Sequence, residues 1–288
     1  MQKISIEVLE NAIRAGLTSA EVDMLLYIAR FQNEAGIARG IYYKDVCEEI
    51  KISYQAFYDC KKSLEAKGII YTEKNNYFDW DITILNNSFV GKENYGRGYV
   101  SVATKMIRTE VFRKFKANTK LMALYLLREW KISFKNTKKA SYQILKENFF
   151  EKFKNLFSVT DRMLRKYLGQ LKPFLNVYLE NGRKYYLTFN QNAVRDHGEK
   201  TGNEEGREHE VKIACRRNKV KEVSDKTKAD VLTLMSQFYP KIKKHTDFDL
   251  SEILSLSLLL MNRNKKRKDW DRTVNPALLN KLMQTKLL

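Results

Sequence analysis

Apolar residues recur at helical spacing from Ala20 to Phe31, where Val22, Leu25, Leu26 and Ala29 share one face. A shorter helix is predicted over Lys44–Ile50, with Val46, Cys47 and Ile50 inward. Ile52 and Ser53 then form a tight turn, and Ser53 suits the N-cap of a helix over Tyr54–Ala66 that buries Phe57, Cys60 and Leu64. Gly68 stands where that helix must stop. The period then changes to two. Ile69–Thr72 and Tyr77–Thr83 read as strands around a polar turn at Lys74-Asn75-Asn76, with Phe78, Trp80 and Ile82 facing in and Asp79 and Asp81 facing out.

The same order appears a second time. Leu26-Tyr27-Ile28-Ala29-Arg30 aligns with Leu124-Tyr125-Leu126-Leu127-Arg128 at an offset of 98, and Ile50 aligns with Phe157 at 107. About nine residues are thus added in the second copy, between Ser133 and Phe150. From Ile50 on, the alignment continues without a gap. It sets Ser53 against Thr160, Phe57 against Leu164, Leu64 against Leu171, Phe78 against Tyr185 and Ile82 against Phe189. In the second hairpin the turn is Asn181-Gly182, a type I′ signal. Helix, short helix, three- or four-residue turn, helix and hairpin is the order of a winged helix-turn-helix. The predicted fold class is therefore mainly α with small β-hairpins: two tandem winged helix-turn-helix domains at residues 1–88 and 99–192, and a C-terminal helical region.

Asn86–Gly98 is polar and glycine-bearing and reads as a linker, and Tyr99–Ala103 as a strand opening the second unit. Residues 193–225 are charged and poor in apolar side chains, so a flexible linker is expected there. Residues 226–288 return to helical spacing. Val231, Leu234, Met235 and Phe238 form one face, Leu250–Met261 a second apolar helix, and Pro276 the first turn of a third.

Charge sharpens this layout. The chain of 288 residues carries a formal +19, which points to a polyanionic partner. By thirds, residues 1–90 carry a net −3, residues 91–192 a net +15 and residues 193–288 a net +7. The longest apolar stretch, Leu254–Met261, is far short of the ~20 residues a spanning helix needs, so no membrane partner is expected. Three cysteines without a CxxC, and three scattered histidines (His197, His209, His245), suggest reduced thiols in a cytoplasmic protein with no metal and no cofactor. No carboxylate or histidine cluster suggests an enzyme.

The basic excess selects the candidate interface. On the helix beginning at Asp161, outward positions are Asp161, Arg162, Arg165 and Lys166, where the first copy has Tyr54, Gln55, Tyr58 and Asp59. Arginine suits bidentate contact with guanine in the major groove, whereas an aspartate facing phosphate is repelled. The second unit is therefore expected to be the principal reader of double-stranded DNA. Arg183 and Lys184 are expected at its wing tip, with Lys138, Lys139, Lys152 and Lys154 on phosphates. Auxiliary contact through Gln55, Tyr58 and Lys62, or dimerisation, is left to the first unit. The run Arg263–Lys268 is a further phosphate candidate.

Tyr99-Val100-Ser101-Val102, Val111-Phe112 and the stretch Thr119-Lys120-Leu121-Met122-Ala123-Leu124-Tyr125-Leu126-Leu127, together with the duplication, resemble the tandem winged-helix replication initiators of plasmids and phages in low-GC Gram-positive hosts. The likeness spans roughly residues 18–190. It implies a sequence-specific double-stranded DNA-binding protein that starts replication of a mobile element, with a homodimer and the replication machinery as further partners. A winged-helix transcriptional regulator, working with the transcription machinery, is the alternative with the same architecture.

Overall fold

The computed structural model describes residues 2–75, 78–91, 98–191, 202–220, 223–242, 249–262 and 274–287. The chain is mostly helical, with small antiparallel sheets. The first unit comprises β1 (Gln2–Ser5), α1 (Ile6–Arg14), α2 (Ser19–Phe31), β2 (Ile37–Ile41), α3 (Tyr43–Ile50), α4 (Tyr54–Ala66), β3 (Ile70–Lys74) and β4 (Trp80–Ile84). The second repeats that order, with two short helices in place of α1, as β5 (Tyr99–Val102), α5 (Thr104–Arg108), α6 (Glu110–Lys114), α7 (Ala117–Thr137), β6 (Tyr142–Leu145), α8 (Lys146–Phe157), α9 (Asp161–Gln170), β7 (Leu175–Glu180) and β8 (Lys184–Phe189). Each unit holds one three-stranded sheet, ordered β2-β4-β3 in the first and β6-β8-β7 in the second.

Local chemistry sets these boundaries as expected. The Ser53 hydroxyl accepts from the Ala56 amide at 3.1 Å, and Thr160 caps α9 in the same way through Met163. Gly68 takes the left-handed position after α4, with φ +64°. At the second hairpin, Asn181 (φ 46°) and Gly182 (φ 68°) fill both left-handed turn positions. The added length of the second copy lies largely in α7, whose 21 residues exceed the 13 of α2.

The two units share one core that runs from Ile4 to Phe189. Strand β1 pairs antiparallel with its own counterpart β5, with Gln2 opposite Val102 and Ile4 opposite Val100. Shifting each residue by the repeat offset of 98 exchanges these two pairs, so a local two-fold relates the units. Several helix contacts follow the same symmetry. Helix α2 packs on α7, α1 on α8, and Arg108 of α5 bonds Glu49 of α3. Lys120 is fully buried at this seam, with its Nζ 2.6 Å from each Asp23 carboxylate oxygen and 2.8 Å from the Ser19 hydroxyl. Burial pushes the Asp23 carboxyl up and the Lys120 amine down, a cost offset only by their close pairing.

Two expectations are corrected. First, the stretch read as a flexible linker contains α10 (Gly202–Arg217). It joins α11 (Asp225–Ile242), α12 (Leu250–Asn262) and α13 (Pro276–Leu287) around a second core that includes Val211, Ala214, Met235, Leu254 and Met283. The sequence hid α10 because much of its inward surface is polar. His209 and Arg217 are both buried.

Second, the ungapped alignment slips in the hairpin. The buried ladder Ile70, Ile82, Ile84 corresponds to Leu175, Leu187, Phe189, an offset of 105 rather than 107. Phe78 therefore matches Arg183 at the turn, not Tyr185. It is 78% exposed and has φ 63°, while Asp79, expected to face out, is fully buried.

Candidate nucleic-acid interface

Helix α9 turns Leu164, Tyr167 and Leu168 into the core. The i, i+3, i+4 set Arg162, Arg165 and Lys166 is consequently exposed on the opposite face. None of the three has an ion-pair partner among the described residues. The Arg165 guanidinium lies 5.1 Å from the centre of the Phe150 ring, which steadies its stem and leaves the charge outward. Lys172 is exposed just beyond the helix.

The wing adds Arg183, exposed at the turn, and Lys184, half-buried with its Nζ 5.2 Å from the Tyr186 ring centre. Tyr186 donates to Glu180 at 2.8 Å, and Tyr178 beside it is 64% exposed. Lys138 and Lys139 are exposed at the end of α7, where Lys138 adopts the left-handed cap.

The remaining candidates in this unit are otherwise engaged. Lys152 sits 3.1 Å from Glu129, with its ammonium 5.1 Å from the Tyr125 ring centre, so packing holds it. Lys154 pairs with Asp161 at 3.1 Å. That pair neutralises the one carboxylate on the leading edge of α9, removing the repulsion a lone Asp161 would present to phosphate.

The first unit presents a different surface at matching positions. Gln55 is exposed and donates to Asp59 at 2.8 Å. Tyr54 and Tyr58 lie 4.9 Å apart by ring centres and join Tyr43 in one aromatic cluster. Burial and the Tyr54 hydroxyl push the Tyr58 phenol up to about 12, so it stays neutral at physiological pH. Lys62 is exposed on the same helix.

Several acidic groups of the first unit are used internally. Asp79 receives Arg217 at 2.9 Å and Arg216 at 2.8 Å, along with the Asn75 side-chain amide. Burial alone would raise its pKa, but the two guanidiniums hold it below the usual carboxylate value. Arg217 also reaches Asp81 at 3.0 Å and Asp249 at 3.2 Å. Arg216 reaches Asp45 and covers the Tyr42 ring.

Gly40 (φ +62°) permits this close docking, because a Cβ there would meet Ile213 at 2.6 Å. Next to it, His209 stacks on Phe31 with ring centres 4.0 Å apart and lies 3.1 Å from the Arg39 carbonyl. Burial depresses its pKa to about 4. This clasp escaped sequence reasoning because Asp79 and Arg217 are 138 residues apart, and a charged pair leaves no periodic trace.

The run Arg263–Lys268, His197 and His245 lie outside the described residues. No helix among the described residues is long and apolar enough to cross a membrane. Comparison with protein-family models, with curated proteins and with solved structures finds no match.

Proposed function

We propose that both units are winged helix-turn-helix modules and that the chain is a sequence-specific double-stranded DNA-binding protein. In this reading α9 enters the major groove. Arg162 and Arg165 contact base edges, Lys166 and Lys172 contact phosphates, and Arg183 extends the contact through the wing. The observation that carries it is the exposed set Arg162, Arg165 and Lys166. These are three cations on one helix face without an acidic partner, whereas Arg108, Lys154 and Arg217 are held in ion pairs. The first unit adds contact through Gln55, Tyr58 and Lys62. The local two-fold lets one chain offer two reading helices, the arrangement that helix-turn-helix homodimers use for paired half-sites.

The duplication and the Thr119–Leu127 stretch favour initiation of replication in a mobile element as the role served. Capture of genomic fragments by the purified chain, followed by footprinting, tests both levels. Protection of iterated repeats near the chain's own gene supports initiation. Protection confined to promoters supports a transcriptional regulator, and sequence-independent protection contradicts specific reading altogether.

A further inference from the structure

A pocket opens at the seam where β1, α2, α3, α5 and α6 meet; Leu26, Ile50 and Ile107 form its apolar wall, and besides the Tyr27 and Thr104 hydroxyls its polar groups are Gln2, Asp23, Arg30, Glu49, Arg108 and Arg113. Its free volume of about 30 Å³ exceeds the roughly 10–15 Å³ that one water requires. Gln2 is 1% exposed, and neither its amide nitrogen nor its amide oxygen has a hydrogen-bond partner. A buried amide left with both groups unmet is destabilising relative to a satisfied one, so the site suits something that both donates and accepts.

The surrounding charges narrow the ligand. Arg30 and Arg108 are already held by Glu49 and Glu205 at 2.8–3.3 Å. Arg113 comes no nearer than 3.9 Å to Glu49, so its donors are the least engaged. The pocket wall is thus cationic by one charge, with an orphan acceptor beside orphan donors. A fully deprotonated oxyanion satisfies only the donors. An oxyanion that keeps a proton also satisfies the Gln2 Oε1.

We propose that this pocket binds inorganic phosphate. Its P–OH donates to Gln2 Oε1, and its unprotonated oxygens accept from Gln2 Nε2 and Arg113. So placed, the ion joins β1 of the first unit to α6 of the second and strengthens the seam between them. The site is independent of the DNA-reading surface, and duplex phosphodiesters, which carry no P–OH, are not ligands for it.

The test follows thermal unfolding of the full chain, at constant ionic strength near pH 7, as sodium phosphate replaces sodium chloride. Sodium sulfate and glycerol phosphate serve as separate arms, and phosphate line broadening in ³¹P NMR reports binding directly. A saturable rise in Tm with phosphate, with at least about tenfold weaker response to sulfate and to the monoester dianion, is expected. Gln2→Leu and Arg113→Gln should each weaken phosphate binding by about tenfold or more. Equal responses to phosphate and sulfate, no response to phosphate, or unchanged binding in both variants would overturn the proposal. Because no DNA is present, these outcomes are separate from any failure of the DNA reading.

Discussion

The two units share an element order and a core but spend their charged residues in opposite directions. In the first, Asp45, Glu49, Asp79 and Asp81 turn toward α10 and the second unit, and arginines from both neighbours meet them. In the second, Arg162, Arg165, Lys166 and Arg183 face outward without carboxylate partners. The matching wing positions make the same point: Phe78 in one, Arg183 in the other. Duplication therefore preserved the apolar ladder and released the surface. One copy is a docking platform for α10, and the other keeps an exposed cationic face. Part of the acidity of the first ninety residues is thus an internal complement to Lys212, Arg216 and Arg217 of α10 and to Arg108 of the second unit.

The largest effect expected within this comparison is at the clasp. Arg217→Met withdraws one of the two guanidiniums from a fully buried Asp79, and breaking such a pair costs about 3 kcal/mol or more. Arg183→Met, at the corresponding wing of the second unit, should change stability by no more than ~0.5 kcal/mol. Denaturant titration of both variants decides this, and equal losses would erase the distinction between inward and outward charge.

How much of this could be read in the chain itself depends on range. Helix ends, both N-caps, the Asn181-Gly182 turn and the duplication were legible because each is written within a few neighbouring residues. The outward face of α9 was legible for the same reason, since Leu164, Tyr167 and Leu168 fix which side is in. The clasp was not, because Asp79, Arg216 and Arg217 lie far apart and nothing in their spacing selects a partner. Phe78 misled for a related reason. Its apolar character fits strand alternation, but the strand begins only at Trp80, and the burial of Asp79 against arginines displaces Phe78 to the surface. Lys152 reads as a phosphate contact in the sequence, but Glu129, on the preceding long helix, pairs with it.

A middle-sized effect tests the docking through its pH dependence. His209 is neutral in the folded chain, with its pKa lowered from the usual 6.5 to about 4. Its contribution is therefore intact above pH 6.5 and lost as pH falls toward 4, because the unfolded chain binds a proton that the folded chain refuses. That amounts to roughly 2 kcal/mol lost between pH 7 and pH 5. Glu210, pushed up to about 7 by burial, acts with the opposite sign. His209→Phe keeps the stacking on Phe31 and removes the titration, so the stability difference between this variant and the wild type isolates the histidine. A difference that stays constant between pH 7 and pH 5 contradicts the assignment.

The smallest expected effect concerns the outward charges. Specific binding should weaken linearly in log–log form as salt rises, with a slope near −0.9 per phosphate contact. Lys166→Gln and Arg183→Gln should each reduce the magnitude of that slope by about one, and Lys152→Gln should leave it unchanged. An equal change from Lys152→Gln would show that its pairing with Glu129 opens on binding.

The central claim, that the second unit reads the duplex through α9, is tested most directly by fluorescence anisotropy on the captured target and on a scrambled duplex. The measurement compares Arg162→Ala/Arg165→Ala with Gln55→Ala/Tyr58→Ala. The account predicts that the arginine pair lowers the ratio of specific to nonspecific affinity by at least about 30-fold, two bidentate contacts at ~1 kcal/mol or more each, and that the first-unit pair lowers it by less than about tenfold. A larger loss of specificity from Gln55→Ala/Tyr58→Ala would contradict the account and assign the reading to the first unit.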